Sequence, residues 1–546
     1  MKNLIIIPAR GGSKGIPRKN LRPIAGYPLI YYSIKACLAL DDNNRVVVTT
    51  DDDEIALFSE RFGAEVIIRP SDLADDKTTL DPVVASAMRF CEEKFDEEYN
   101  YIVTVQPTSP LLQTQDIESV INLLASEEFD SVLTVVDDRH LCWSESNGKA
   151  IPAYSARVNR QQLPTNYKET GAVIACTREQ LQAGSRIGKN VGIHEVPHER
   201  SFDIDSFSDL YVCEAMLQRK KIVFTVVGYA AVGLGHAFRT IMLAHELVQY
   251  DLLFICEEKS GLAIEYISSN NYQVVVSENG KLAETVLSEN PDLVINDILD
   301  TSLAYMTELS RNKMKIINFE DMGSGYGVAD LVVNALYPHQ MPQENILIGP
   351  QYFCLRDEFL FLGSHESKQR VENVLITFGG VDEGNITKKT FQEIASTCQK
   401  KRVSIEIVLG PGYPYLNELE STISNFPELS CALFSHTKKI SEHMKRADVA
   451  FTSGGRTVLE LAALKIPTIV ICQNERETTH TFASSEHGII NLGHREHLSL
   501  GGIEEVFDKV ISDSDLRALM ILKMEKLDLT KGKERVISRI KSLLYK

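Results

Sequence analysis

The sequence predicts an α/β protein built from three lobes. Two observations carry that prediction. One grammar, an apolar run followed by a glycine-rich loop and then a helix, opens the chain with "LIIIPARGGSKG". It recurs in "KIVFTVVGYAAVGLGHAFRT" (Lys221–Thr240) and in "ENVLITFGGVDEGN" (Glu372–Asn385). Between these starts, strand-like and helical runs alternate, the rhythm of a sheet covered by helices. With 546 residues the chain is also too long for one core. The expected lobes are 1–220, 221–365 and 366–546. The last two read as paired Rossmann-like lobes with a cleft between them. No low-complexity linker separates the halves, so the joint near Arg219–Lys221 is expected to be short.

The first strand is Leu4–Ile7, apolar throughout and bounded by Pro8 and Gly11. The loop after it holds Gly11, Gly12 and Gly15 among Arg10, Lys14, Arg18 and Lys19. Glycines let backbone amides approach a ligand, and the cations attract negative charge, so a polyphosphate suits this loop. No window fits G-x-x-x-x-G-K-[ST] or G-x-G-x-x-G, so it is a phosphate loop of another kind. The bland alternative is a solvated turn. "RVVVTTDDDE" (Arg45–Glu54) reads as a strand ending in acids, and "EIALFSERFG" as a helix closed by Gly63. "YIVTVQPTSPLL" (Tyr101–Leu112) and "DSVLTVV" (Asp130–Val136) read as two more strands. Ligands of such sheets sit at the carboxyl ends of strands, which puts Arg10–Asn20, Asp51–Asp53 and Gln106–Pro110 on one rim.

Composition narrows the setting. The formal net charge is −18 and no basic face or tail stands out, so nucleic acid is not an expected partner. No run of eighteen apolar residues occurs, so no membrane span is expected. The chain enters its first strand without a signal-peptide pattern. Ten cysteines without a C-x-x-C pair suit a reducing compartment, and a cytoplasmic location is expected.

A triphosphate loop of this kind suggests nucleotidyl transfer, which needs cations and a divalent metal. "FDIDSFSD" (Phe202–Asp209) supplies Asp203 and Asp205, which, if extended, share one face and could hold Mg²⁺. Asp209 reads better as a turn or cap entering the next helix. Together "IPARGGSKGIPRKN", "TTDDDEIA", "GAEVIIRP", "QPTSPLL", "RQQLPTNYKETGA" and "DIDSFSDL", in that order, resemble the acylneuraminate (CMP-sialic acid) cytidylyltransferase family. The resemblance spans residues 1–220. It implies a Rossmann-like nucleotidyltransferase domain that joins CTP and a nonulosonic acid, such as a legionaminic or pseudaminic acid, with Mg²⁺. It also implies triphosphate contacts from Arg10, Ser13 and Lys19 and a nucleotide contact from Asn20. Arg69 and Gln106 fall in the cytidine or sugar pocket, Lys168 on the sugar acid, and Asp203 and Asp205 on the metal. A homodimer, with the Arg157–Tyr167 segment reaching toward the partner's site, is implied as well. Leu112 stands where the family has arginine, and Thr170 where it has asparagine, which leaves the sugar open.

In the second half, "GYAAVGLGHAFRT" (Gly228–Thr240) has Gly233 and Gly235 but Phe238 in place of a third glycine, which argues against a dinucleotide. The turn presents His236 at a helix start, suited to accepting a proton, although a lone histidine is more often structural. "ADVAFTSGGRTVLELAALKIPTIVICQNERETTH" (Ala447–His480) reads strand, Gly-Gly loop, helix, strand, polar loop. Gly454 and Gly455 suit a diphosphate and Glu460 suits ribose hydroxyls, with Gln473 and Asn474 in the polar loop as further contacts. "GLGHAFR", "GPQYFCLRDEF", "TFGGVD" and "SGGRTVLELAAL" together resemble the family of the UDP-sugar hydrolase of pseudaminic acid synthesis and the spore-coat polysaccharide protein. That resemblance implies a glycosyltransferase-B-like fold, a UDP-sugar ligand, and His236 activating water, with Asp297 as a second candidate for cleft chemistry. Arg456 replaces a small residue. A glycosyltransferase, or a nucleotide-sugar-binding regulatory module, needs the same cleft, so both stay open.

Overall fold

The computed structural model describes residues 2–12, 15–75, 77–126, 128–229, 232–338, 344–362, 368–410, 412–435, 437 and 439–545. The chain divides into two compact units, Met1–Arg219 and Lys220–Lys546.

The first unit carries a seven-stranded sheet. Its order is Val191–Glu195, Ser131–Asp137, Tyr167–Thr177, Tyr101–Val105, Asn3–Pro8, Asn44–Thr50, Glu65–Ile68. Only Tyr167–Thr177 runs antiparallel to its neighbours. Asn3–Pro8 lies at the centre with Leu4, Ile5, Ile6 and Ile7 fully buried, as a continuous apolar run requires when both faces are covered. The strand order reverses beside it, between Asn3–Pro8 and Tyr101–Val105. The loops that leave these two strands, described at 9–12, 15–18 and 106–112, open from that reversal. Asp52 caps the helix Asp53–Arg61, and Gly63 ends it at φ +95°.

The second unit holds two parallel sheets. The first runs Val274–Ser277, Asp251–Glu257, Lys221–Val226, Leu293–Asp297, Lys315–Phe319, Leu331–Asn334, Ile346–Ile348. The second runs Cys431–Ser435, Ser404–Leu409, Asn373–Ile376, Val449–Thr452, Thr468–Cys472, Ile489–His494. Both are doubly wound, and each reverses order next to its first strand. That puts His236 and Asp297 at the reversal of one sheet, and residues 377–384 with 453–456 at the reversal of the other. The last helix, Gly532–Leu544, lies within the span expected for the final lobe, yet it packs on the earlier one. Val536, Ile537, Ile540 and Leu544 join Ile222, Phe254 and Ile295 in one core. Gly532 is required at the crossing, since a Cβ there would stand 2.0 Å from the Phe353 carbonyl oxygen. No helix among the described residues is long and apolar enough to cross a membrane.

Candidate functional site

In the first unit the glycine loop is pinned from two sides. Gly11 N–H donates to Asp51 Oδ1 at 3.1 Å. A Cβ on Gly11 would lie 2.6 Å from Asp52 Oδ2, and one on Gly15 would lie 2.8 Å from the Asp205 carbonyl oxygen. The loop therefore reaches Asp205 only because it lacks side chains. Lys19 follows it there: Nζ donates to the Ile204 carbonyl at 2.7 Å and approaches Asp205 Oδ1 at 3.3 Å. Asn20 donates to the Arg10 carbonyl at 3.0 Å, while its own Oδ1 is buried without a partner. Arg18 turns away and pairs with Glu54. Ser13 lies outside the described residues.

Asp203 and Asp205 sit in an irregular segment rather than a strand. Asp203 Oδ1 is buried and accepts no hydrogen bond, whereas the Asp205 side chain is 80% exposed. Burial pushes the Asp203 carboxyl above the ordinary range; Thr108 beside it draws it back, and the Asp205 charge pushes it further up. An orphaned carboxylate oxygen next to a second carboxylate fits a divalent cation. Among the described residues no cluster of three or more His, Cys, Asp or Glu could hold one by themselves, so phosphate oxygens would have to complete the shell. Asp209 is the N3 residue of a capping box with Ser206, as its spacing predicts.

Arg69 is 7% exposed, donates to the Thr49 carbonyl at 2.9 Å, and leaves Nε without a partner. Burial lowers its pKa, Asp51 opposes that, and Arg10 adds to it. Gln106 and Gly171 approach closely: Gln106 Nε2 would be 3.3 Å from a Cβ on Gly171, whose φ is +73°. Lys168 is exposed on Tyr167–Thr177, beside the register shift between Glu169 and Ile174. The two departures from the family pattern face inward. Leu112 packs in the core, and the Thr170 hydroxyl meets that of Thr134 at 2.7 Å.

The second unit has a cavity of about 440 Å³ lined by both of its sheets. On one wall, His236 is the second residue of the helix Gly235–His245, and its Nδ1 lies 2.5 Å from Asp297 Oδ1. Arg239, one turn on, clamps the same carboxylate through Nε to Oδ2 at 2.7 Å and Nη2 to Oδ1 at 2.5 Å. Its Nη1 donates to Glu320 Oε1 at 3.1 Å. Asp297 is fully buried; burial alone would raise its pKa, but Arg239 and His236 overcome that and bring it to about 2. A fixed carboxylate accepts, so His236 Nδ1 donates, and in the neutral ring Nε2 carries the lone pair toward a substrate or water. Asp297 thus stands behind His236 rather than in the cavity, and its place is that of a positioning residue.

The other wall differs from the sequence expectation. Gly455, Gln473 and Asn474 line the cavity. The Gly454 amide, expected on a diphosphate, instead donates to Glu477 Oε2 at 3.1 Å, and the Gln473 amide joins it at 2.8 Å. Burial raises the Glu477 pKa against these hydrogen bonds. Glu460, expected on ribose, is 7% exposed and held by Arg356 Nε at 2.8 Å, away from the cavity lining. A buried carboxylate needs a counter-charge, and the "CLRDEF" stretch supplies it. Sequence reasoning also missed Glu320, Arg476 and His480. His480 Nδ1 donates to the Gly454 carbonyl at 2.6 Å, and its Nε2 is buried without a partner. Arg239 was missed as well, although its spacing, three residues from His236 on one helical face, was there to read. Glu320 had no such signal, because only the sheet order brings it near.

Both units thus present α/β architecture, with cationic or glycine-rich loops at the points where strand order reverses. The family described as Cytidylyltransferase matches residues 4–193, and the one described as Glycosyltransferase family 28 C-terminal domain matches residues 374–484. The CMP-N,N'-diacetyllegionaminic acid synthase of Campylobacter jejuni is 30% identical over 226 residues, covering 40% of this chain and 96% of that one. An uncharacterized protein of Methanocaldococcus jannaschii is 27% identical over 350 residues, 55% of this chain and 72% of that one. Among solved structures, Acinetobacter baumannii MurG is 14% identical with a TM-score of 0.46, over 59% of this chain and 99% of that one. The chain belongs to the cytidylyltransferase family through its first unit, and its second unit is glycosyltransferase-like.

Proposed function

We propose that the protein is bifunctional in nonulosonic acid biosynthesis. The first unit transfers CMP from CTP to a 2-keto sugar acid, and the second hydrolyses a UDP-linked amino sugar. In the first reaction the anomeric hydroxyl of the sugar acid attacks the α-phosphorus of CTP. A new P–O bond forms, the α–β P–O bond breaks, pyrophosphate leaves, and the hydroxyl proton passes to solvent. Arg10 and Lys19 offset the charge of the departing pyrophosphate. Asp203 and Asp205 are the residues that would hold Mg²⁺, which when bound shields phosphate charge and makes the attacking hydroxyl more acidic. Asn20 and Arg69 hold the nucleotide end of the pocket, and Gln106 and Lys168 the sugar end. The exposed hairpin Trp143–Ser146 and Lys149–Pro152, with Val158 beyond it, offers apolar surface to a second copy, in keeping with a homodimer.

The observation that carries the second reaction is His236 on the cavity wall, oriented from behind by Asp297. His236 Nε2 takes a proton from water as its oxygen bonds to the anomeric carbon. The sugar–phosphate C–O bond breaks and UDP leaves. General-base help of this kind contributes about 10²–10⁴-fold. Transfer to an acceptor hydroxyl in place of water is the second reading, and the match of residues 374–484 to a glycosyltransferase family favours it. The test is UDP binding by calorimetry beside UDP release from candidate UDP-amino sugars, with and without an acceptor. His236→Asn should keep UDP binding, lose UDP release by about 10²–10⁴-fold, and leave CMP-sugar formation unchanged. Wild-type protein that binds UDP but releases none without an acceptor overturns hydrolysis in favour of transfer.

A further inference from the structure

Arg456 crosses the cavity of the second unit from one wall to the other. It follows Gly455 on the second sheet's side, yet its Cδ would stand 3.3 Å from a Cβ on Gly235, the first residue of the helix that carries His236. Its guanidinium lies over the Phe353 ring, 4.9 Å from the centroid. Its hydrogen bond is a long one, from Nη2 to the Cys354 carbonyl at 3.5 Å. A guanidinium has five N–H donors, so most of this fork is left for a ligand.

Three of the neighbouring charges, Asp297, Glu320 and Arg476, are already committed. Both oxygens of Asp297 accept from Arg239, and Oδ1 also meets His236. Glu320 accepts from Arg239 and from the Ala335 and Leu336 amides. Arg476 is bonded to the Tyr337 hydroxyl and to Asp300. Beside Arg456, the eleven-residue helix Gly235–His245 begins without a side-chain cap, so its first amides add a second positive pole. Burial and the nearby Arg239 pull the Arg456 pKa down to about 10, with Asp297 and Glu320 acting the other way, so an incoming anion relieves this cation.

Two positive poles, one from each wall, match two phosphates. A monophosphate-linked sugar brings one charged phosphorus and leaves one pole without its partner. We infer that Arg456 reads the second phosphate, so that the second unit takes nucleoside-diphosphate sugars and refuses CMP-sugars of the kind the first unit makes. The inference rests on the reading of this cavity as a sugar-nucleotide site.

The test is calorimetry of the full chain with UDP and with UMP, for wild type, Arg456→Met and Arg456→Lys, each checked for an unchanged melting profile. UDP binding that neither Arg456 variant alters overturns the inference. Wild type should bind UDP about tenfold or more tighter than UMP. Arg456→Met should weaken UDP by about tenfold or more and UMP by no more than about twofold, as removal of a charge-assisted pair predicts. Arg456→Lys, which keeps the charge but not the fork, should fall between, and it decides the matter if Arg456→Met fails to fold. Equal losses for UDP and UMP make Arg456 a clasp between the walls and overturn the inference. So does an unchanged UDP-to-UMP ratio in Arg456→Lys, or wild type with no preference. If wild type binds neither nucleotide, the sugar-nucleotide reading falls first and takes this inference with it.

Discussion

Asp203 carries a buried oxygen that accepts no hydrogen bond, in a carboxyl whose pKa burial has raised. A carboxyl that is harder to ionise folded than unfolded weakens the fold at any pH where it must be ionised. The cost is full above the raised folded pKa and vanishes below the unfolded value near about 3.9. Asp203→Asn should therefore raise the melting temperature at neutral pH without divalent cations, by about 2–4 °C per kcal/mol relieved, and the gain should fade on acidification. The same variant should lose most CMP-sugar formation. Calorimetric melts across pH beside a turnover assay check both, and a lower melting temperature at pH 7 would contradict the burial argument. Asp297 has the opposite sign. Its folded pKa of about 2 lies below the unfolded value, so its contribution is complete above about 4 and is lost as pH falls toward 2. Asp297→Asn should cost about 3–5 kcal/mol, because it leaves Arg239 buried beside a neutral partner. It should also cut UDP release and alter its pH profile by unsettling the His236 tautomer, and a profile identical to wild type would show that Asp297 does not orient His236. His236 was legible because a glycine turn before a helix exposes its second residue. Glu460 and Gly454 were read as ribose and diphosphate contacts; their partners in the structure, Arg356 and Glu477, come from distant sequence, and pairing at such separation leaves no local signal.

At the scale of elements, the sequence reveals each apolar strand followed by its glycine loop, because continuous burial demands an unbroken apolar run. The strands Asn3–Pro8, Lys221–Val226 and Asn373–Ile376 start where that pattern places them. The segment 201–205 was harder to read. Alternating Asp-Ile-Asp suggests a strand, but it is tied down by Ile204 N–H to the Thr108 carbonyl at 2.9 Å and by the cap at Ser206, and it pairs with no strand. Helix Gly532–Leu544 went unread, and even an amphipathic pattern would not have given its destination, since an apolar stripe does not name the surface it will cover. A chain ending before Gly532 loses four buried aliphatic side chains, worth about 6–12 kcal/mol at 1.5–3 each, comparable with the whole stability of a domain. Such a chain should lose UDP binding and expose apolar surface to a dye such as ANS. Its CMP-sugar formation should persist, because the first unit's cores draw only on its own residues.

Each unit draws the described residues of its site from its own segment of the chain. Asp203→Asn and His236→Asn should each silence one activity, and the double variant should show the two losses side by side without further change. Rates measured on one mixture of CTP, sugar acid and UDP-sugar check this, and any mutual effect would reveal coupling between the units. The closing helix also has a consequence for synthesis. Residues 1–219 complete their sheet while most of the chain is still unmade. The sheet begun at Lys221 cannot seal its core until Leu544 has left the ribosome. The first unit can thus work on a nascent chain, whereas the second must wait, open and apolar, for Val536, Ile537, Ile540 and Leu544. In that interval it is the part of the molecule most in need of chaperone protection.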